Sequence, residues 1–178
     1  MKRFNSLSAT LVFMLGLFFS PRCSAQLFND MDKNPHDIVY YRPSEDATPQ
    51  IKVIYGRPKA KDERVFGTQV PFGKIWNTGS DESTEIRFYC DVMFGNKFVK
   101  AGTYSLFTIP NDKEWTVILS TARNVWGSYF YKQEEDVVRV SGTVSKSEGN
   151  IEAFSMLFDE DKTLKMGWGN TVVSVSIQ

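Results

Sequence analysis

Residues 103–121 read TYSLFTIPNDKEWTVILST, and this stretch decides how the rest of the chain is interpreted. Two runs rich in β-branched and aromatic residues, 103–109 and 115–121, are separated by Pro110–Glu114. Runs of this kind joined by a short loop of turn-forming residues are typical of a β-hairpin. The stretch therefore predicts two neighbouring antiparallel strands.

Alternation of apolar and polar residues extends this pattern along the chain. Between residues 86 and 92 every second side chain is apolar, which predicts a half-buried strand with the Cys90 thiol on its buried face. The dipeptide Gly169-Asn170 predicts a tight final hairpin. Further strands are predicted over residues 51–55, 137–144, 154–158, 164–168 and 171–177.

Helical periodicity is weak throughout the sequence. The best window, residues 128–136, would allow at most one short helix, and no 3.6-residue period persists over a dozen residues. Parallel β-strands need long crossover connections, usually helices, which this pattern lacks. We therefore predict an all-β fold, an antiparallel β-sandwich or a barrel-like, jelly-roll-like single domain.

The N-terminal residues 1–25 have the features of a signal peptide. Two basic residues precede a nine-residue apolar run, and Cys23-Ser24-Ala25 supplies small residues for cleavage before Gln26. The apolar run is about half the length needed to span a bilayer. Arg22 is a poor fit to the small residue that a lipoprotein signal requires, so acylation of Cys23 is not favoured. We expect an exported protein, periplasmic or secreted, whose mature chain has no transmembrane segment.

The remaining chain divides into two parts on composition. Residues 26–49 are polar and contain three prolines, which predicts an irregular lead-in. Residues 50–178 carry all of the predicted strands and form a single β domain. Removing residues 1–25 takes away three basic residues, no acidic residue and one of the two cysteines, so the mature chain has net charge −3 and no internal disulfide.

Charge and motif content exclude several function classes. The full chain balances 21 Lys and Arg against 21 Asp and Glu, which gives no expectation of nucleic-acid binding. With one histidine, His36, it cannot build a metal site from two or three histidines. Phosphate-binding loops, dinucleotide fingerprints and nucleophile-elbow motifs are absent from the sequence. We therefore predict no cofactor, no metal and no assigned catalytic residue.

One stretch, residues 55–85, is dense in residues that bind ligands. Arginine offers a planar fork for carboxylates, phosphates or sugar hydroxyls, and tryptophan a flat apolar face. The same residues could instead be architectural, with the arginines pinning loops to the sheet and Trp76 plugging the core. The predicted ligand-binding residues are Tyr55, Arg57, Arg64, Trp76, Asn77, Thr78, Glu82 and Trp126.

Several blocks of this sequence, in order, resemble a bacterial exported family, domain-of-unknown-function family 2911, which is common in Bacteroidetes. The resemblance spans about residues 51–177 and implies a secreted β-rich protein without an established ligand or catalytic residue. Asn77 stands where the family pattern has a basic residue. The blocks are Arg64–Gly67, Val70–Gly79, Ala101–Phe107, Glu114–Leu119 and Trp126-Gly127.

Three functions follow from these observations. The first is a binding or interaction module for a small polar ligand, a glycan or a partner protein. The second is a purely structural envelope component without a ligand site. The third is a hydrolase-type enzyme that uses carboxylates, with Glu82 or Asp81 near Arg57 as candidates. Unpaired sheet edges would allow a homodimer.

Overall fold

The computed structural model describes residues 32–61 and 64–178, so the predicted signal peptide and residues 26–31 lie outside the described residues. The described chain is all-β, as predicted, with one strongly curled antiparallel sheet that forms a half-barrel. Seven strands make the sheet in the order β1-β2-β3-β6-β7-β8-β9, and β4 and β5 form a separate ribbon. The strands are β1 His36–Tyr41, β2 Ile51–Gly56, β3 Thr84–Phe88, β4 Val92–Phe94, β5 Lys97–Val99, β6 Gly102–Ile109, β7 Glu114–Ser120, β8 Asp136–Phe158 and β9 Thr163–Ser176.

The hairpin predicted over residues 103–121 is confirmed as β6 and β7. Leu106 pairs with Leu119, and Thr108 pairs with Val117, in an antiparallel register. The window predicted for a short helix holds only a 3₁₀ turn, Gln133–Glu135. None of the helices in the described residues is long and apolar enough to span a membrane.

The concave face of the sheet carries the core. Strand side chains such as Val53, Ile86, Leu106 and Val117 are fully buried there. Strands and loops add aromatic rings to these aliphatic residues, and the rings meet mostly edge to face, an arrangement that aromatic pairs prefer. This aromatic cluster consists of Phe66, Trp76, Trp115, Phe154 and Trp168.

Three sequence predictions about individual elements are wrong. The segment 26–49 is not irregular throughout, because His36–Tyr41 forms the edge strand β1 paired with β2. Prolines on both sides of this strand obscure its pattern in the sequence. The strand is only half-buried because it lies at the edge of the sheet. Cys90 is exposed, not buried, because β3 ends at Phe88 and the chain bends before β4. The alternation through residue 92 therefore spans a bend and not one strand.

The third wrong prediction is the final hairpin at Gly169-Asn170. Both residues lie inside the continuous strand β9, opposite a bulge in β8 between Lys146 and Ile151. Gly169 has φ +60°, so the glycine serves the bulge and not a turn. The turn between β8 and β9 is formed instead by Asp159–Lys162, where the Asp159 carboxylate accepts the backbone N–H groups of residues 161 and 163. These bonds lower the pKa of Asp159.

A second layer covers the middle of the convex face. Phe107 and Ile118 point away from the core, yet both are fully buried. The ring of Tyr131 packs edge-on against Phe107, with centroids 5.1 Å apart. The Tyr131 hydroxyl donates to Asp136 Oδ2 at 2.7 Å, and Arg139 Nε binds the same oxygen at 2.7 Å. This network holds residues 121–135 against the sheet.

Burial and the hydrogen bond to Asp136 raise the pKa of Tyr131 to about 12. A pKa raised on folding means that the stabilisation is present below pH 10 and lost as the pH rises towards 12. We expect the free energy of unfolding of the wild type to fall across pH 10–12 more steeply than that of Tyr131→Phe. At pH 8 the variant should be about 1–2 kcal/mol less stable because the hydroxyl bonds are lost. Urea titrations at pH 8, 10 and 11.5 test this, and parallel pH profiles for both proteins would contradict it.

Candidate functional site

The predicted site residues do not gather in one place. Tyr55 and Arg57 lie at the end of β2, where they hold the curled sheet together. The Arg57 guanidinium donates to the Phe154 carbonyl at 3.2 Å and the Ser155 hydroxyl at 3.0 Å, and it pairs with the Asp37 carboxylate at 3.3 Å. These contacts join β1 and β2 to the far half of β8, as the architectural interpretation of this arginine requires.

Tyr55 strengthens the same junction from inside the core. Its hydroxyl accepts the backbone N–H of Met156 at 3.0 Å and donates to the Asp37 carboxylate at 3.3 Å. Burial is the main cause of a raised pKa for Tyr55. Because its hydroxyl both donates and accepts a hydrogen bond within the fold, Tyr55 acts as a cross-link between strands.

Trp76 belongs to the aromatic cluster. It is 9 % exposed, and its ring stacks on Trp168 with centroids 5.9 Å apart and an interplanar angle of 20°. Phe154 packs against it edge-on at 5.0 Å. The indole Nε1 donates to the Gly79 carbonyl at 3.0 Å. Trp76 therefore plugs the core and anchors the loop that follows it.

That loop, residues 77–84, is held by buried polar side chains. The Asn77 amide donates to the carbonyls of Asp81 and Glu82, each at 3.2 Å. The hydroxyl of Thr78 bonds Thr108 at 3.1 Å, and the Thr84 hydroxyl donates to the Thr78 carbonyl at 2.7 Å. Asn77 and Thr78 thus shape the loop that presents Glu82.

Backbone strain concentrates around this loop. Within the described residues, four non-glycine residues have positive φ, and three of them are Thr78 at 57°, Asp81 at 64° and Asn124 at 57°. A β-branched threonine in this region is a conformational outlier that the surrounding structure must enforce. Such strain clusters at functional sites. The three residues belong to the loop at 77–84 and to the segment that faces it.

Glu82 and Trp126 are brought together by a short antiparallel bridge. The Ser83 N–H donates to the Val125 carbonyl at 2.9 Å, and the Gly127 N–H donates to the Asp81 carbonyl at 2.7 Å. These two bonds flank the bridge, so Glu82 and Trp126 form a non-hydrogen-bonded pair, the closer of the two antiparallel arrangements. Directly opposed residues project to the same side, so the carboxylate and the indole share one face.

Glu82 also lines a cleft on the convex face, which we call the outer cleft. The volume of this cleft is about 480 Å³. Cross-strand pairing places Ile54, Glu85 and Ser105 in one row on β2, β3 and β6. The remaining lining residues come from the start of β1 and from loops. The outer cleft is lined by His36, Ile54, Glu82, Ser83, Glu85, Ser105 and Asn124.

Four of the six polar side chains of the outer cleft form two pairs. His36 Nε2 lies 3.3 Å from Glu82 Oε2, and both side chains are a third to a half exposed. Ser83 and Ser105 share a hydrogen bond of 3.0 Å between buried hydroxyls. Among residues 32–61 and 64–178, no three His, Cys, Asp or Glu side chains come together as a metal site. The cleft presents carboxylate, amide, imidazole and hydroxyl groups.

Sequence reasoning missed His36, Glu85, Ser105 and Asn124 as members of a site. Alternation within β3 could place Glu85 on the face opposite Ile86. Its neighbour Ser105 follows only from the pairing of β3 with β6, which skips the β4–β5 ribbon. His36 was assigned to an irregular segment and therefore had no predicted neighbour.

Arg64 and Trp126 occupy different surroundings. Arg64 is exposed and lies beside a separate cleft near the turn between β6 and β7. Trp126 is 54 % exposed, and Tyr129 and Phe130 after it are 83 % and 65 % exposed. Of the eight predicted residues, the fold thus brings Glu82 and Trp126 to one surface and uses Tyr55, Arg57, Trp76, Asn77 and Thr78 as supports.

Comparison with known proteins gives one match. The model of a family described as "Protein of unknown function (DUF2911)" matches residues 35–177, a range that begins just before β1 and ends just after β9. No curated protein and no solved structure gives a significant match.

Gly56 provides a test of how the loop at residues 77–84 is supported. A Cβ atom there would collide with the carbonyl and hydroxyl oxygens of Ser80. We expect Gly56→Ala to lower the free energy of unfolding by about 1–3 kcal/mol, because the rigid loop must shift. Gly149→Ala is the control, since no atom lies within 4 Å of its added Cβ. Denaturant titration of both variants checks this, and equal stabilities would contradict the close packing.

Proposed function

The chain belongs to the DUF2911 family, and we propose that this member is a binding module that holds a small, hydroxyl-rich ligand of the glycan class at the outer cleft. The observation that carries the proposal is the pairing of Glu82 with Trp126. It sets an ionisable acceptor beside an exposed indole on one face. Glu82 would accept hydroxyl hydrogen bonds, and Trp126 would form the apolar platform.

The chemistry of a sugar matches these two groups. One face of a pyranose ring presents C–H bonds, which pack on a flat aromatic surface, while its rim presents hydroxyl groups. Hydrogen bonds to an ionised carboxylate are stronger than those between neutral groups. Asn124 and His36 add further polar contacts along the cleft. A volume of about 480 Å³ falls within the range of small-molecule sites.

Exposed aromatic side chains in the segment that begins at Trp126 support the same proposal. Tyr129 and Phe130 follow Trp126 within four residues, and all three are more than half exposed. Large aromatic side chains normally lose most of their exposure on folding. Their grouping in the segment that bridges to Glu82 fits a surface that is covered when a ligand binds.

Hydrolysis is a second candidate function, because two carboxylates, those of Glu82 and Glu85, line the same cleft as His36. Paired carboxylates are the usual machinery of glycoside hydrolysis. The two functions are separated by Glu82→Gln. A hydrolase would lose turnover while still binding the oligosaccharide, whereas a binding module has no turnover to lose. A protein with a purely structural envelope role would show neither turnover nor binding of the oligosaccharide.

We expect wild-type protein to bind at least one member of a panel of oligosaccharides and peptidoglycan fragments, measured by calorimetry. Trp126→Ala and Glu82→Gln should each weaken that binding at least tenfold, because each removes one of the two paired contacts. Phe98→Ala is the matched control, since Phe98 is a similarly exposed aromatic residue on β5 outside the cleft. Absence of saturable binding across the panel, or unchanged affinity in Trp126→Ala, would contradict the proposal.

Export is the second part of the proposal, in keeping with the signal-like residues 1–25. We expect the protein recovered from its native cell to begin at Gln26 and to reside in the periplasm or the medium. Intact-mass measurement combined with cell fractionation checks both points. A cytoplasmic protein that retains residues 1–25 would overturn this part of the proposal.

A further inference from the structure

We propose a second binding site, distinct from the outer cleft, for a small molecule that combines a flat apolar body with an anionic group. It lies in a cleft of about 730 Å³ beside the turn between β6 and β7, which we call the end cleft. One wall is apolar and includes Phe66, Phe72 and Trp115. This wall is continuous with the aromatic cluster of the core, because Phe66 and Trp115 belong to both.

The first observation is an unpaired donor in that wall. Trp115 is 1 % exposed, and its indole Nε1–H has no hydrogen-bond partner among the described residues. The other two buried tryptophans are satisfied, Trp76 by the Gly79 carbonyl and Trp168 by the Glu152 carbonyl at 3.3 Å. An indole N–H can only donate, and buried ones normally find an acceptor. The Nε1 atom is closed off from solvent in the structure, so an acceptor oxygen on a ligand supplies the missing partner once the side chains of this wall shift to admit it.

The second observation is the charge of the rim. Arg64, Lys113 and Lys146 line the end cleft, and Asp112 is the one acidic residue among its described lining residues. The three cations come from separate segments, namely a loop, the β6–β7 turn and strand β8, and meet only through the fold. The full chain is formally neutral, so this grouping is not a consequence of a basic protein. A local excess of positive charge favours an anionic group.

The third observation is the β-bulge next to this site. The register between β8 and β9 slips directly after the pair Lys146 and Thr171, both of which line the end cleft. Bulges are enriched beside binding and active sites because they change the direction of nearby side chains. The interruption of the longest hairpin in the fold therefore coincides with the proposed site.

The end cleft and the outer cleft are independent. They share no lining residue, and they open on opposite faces of the sheet, since Trp115 packs in the core while Glu85 lies in the row of the convex face. An experiment that contradicts binding at one cleft therefore does not contradict binding at the other.

The probes for the test are 8-anilinonaphthalene-1-sulfonate and its uncharged counterpart N-phenyl-1-naphthylamine. We expect saturable 1:1 binding of the sulfonate that weakens with added salt, because the rim charges are screened. Lys113→Glu and Lys146→Glu should each weaken sulfonate binding at least fivefold and change binding of the uncharged dye less than twofold. Lys97→Glu, an exposed lysine on β5, is the matched control and should have no effect.

A nuclear magnetic resonance measurement locates the probe. The indole N–H signal of Trp115, assigned through Trp115→Phe, should move downfield when the sulfonate saturates the wild type, while the Trp168 signal stays in place. Lys113, Lys146 and Lys97 are all exposed, and we expect their variants to fold, since surface substitutions usually change stability little. Absence of saturable sulfonate binding, an equal loss in Lys97→Glu, or a Trp115 signal that does not move would overturn the proposal.

Discussion

The packing of Trp76 against Trp168 and Phe154 is the contact on which most of this structure depends. A ring of this size removes about 150–250 Å² from water, and truncating such a residue in a core costs about 3–5 kcal/mol. Trp76 also pairs through its backbone with Thr108 on β6, and its indole bonds Gly79. One residue therefore connects the aromatic cluster, the central strands and the loop that presents Glu82.

The curled sheet creates two different surfaces from one set of strands. On the concave side, loops close over the aromatic cluster and leave the end cleft beside Trp115. On the convex side, Tyr131 packs on Phe107, and Asn124 of the same segment lines the outer cleft beside the row of Ile54, Glu85 and Ser105. The strands and the second layer thus form the outer cleft together. Arg57 and Tyr55 maintain the curl itself by joining β2 to β8.

Sequence reasoning succeeded for features that follow from local periodicity. It failed for features that depend on contacts with residues distant in the sequence. The β6–β7 hairpin was predicted because strands and turn lie within nineteen consecutive residues. Cys90 was assigned to the core because alternation continues past the end of β3, and only the bend at residues 89–90 breaks it. The pattern of Gly169-Asn170 is shared by turns and bulges, and the partner strand decided between them. For the site, Glu82 and Trp126 were predicted separately, but their pairing was not.

The amino-acid sequence was sufficient to predict the all-β class, the antiparallel hairpin at its centre and the family of the chain, because alternation and local motifs are properties of neighbouring residues. Only the folded chain brings His36 to Glu82, sets Glu82 opposite Trp126, and places three cations at the cleft whose wall includes Trp115. The first two arrangements join residues 46 and 44 positions apart, and the third joins segments from three parts of the chain. Strand order, register and the curl of the sheet determine such proximity, and a single sequence does not display them.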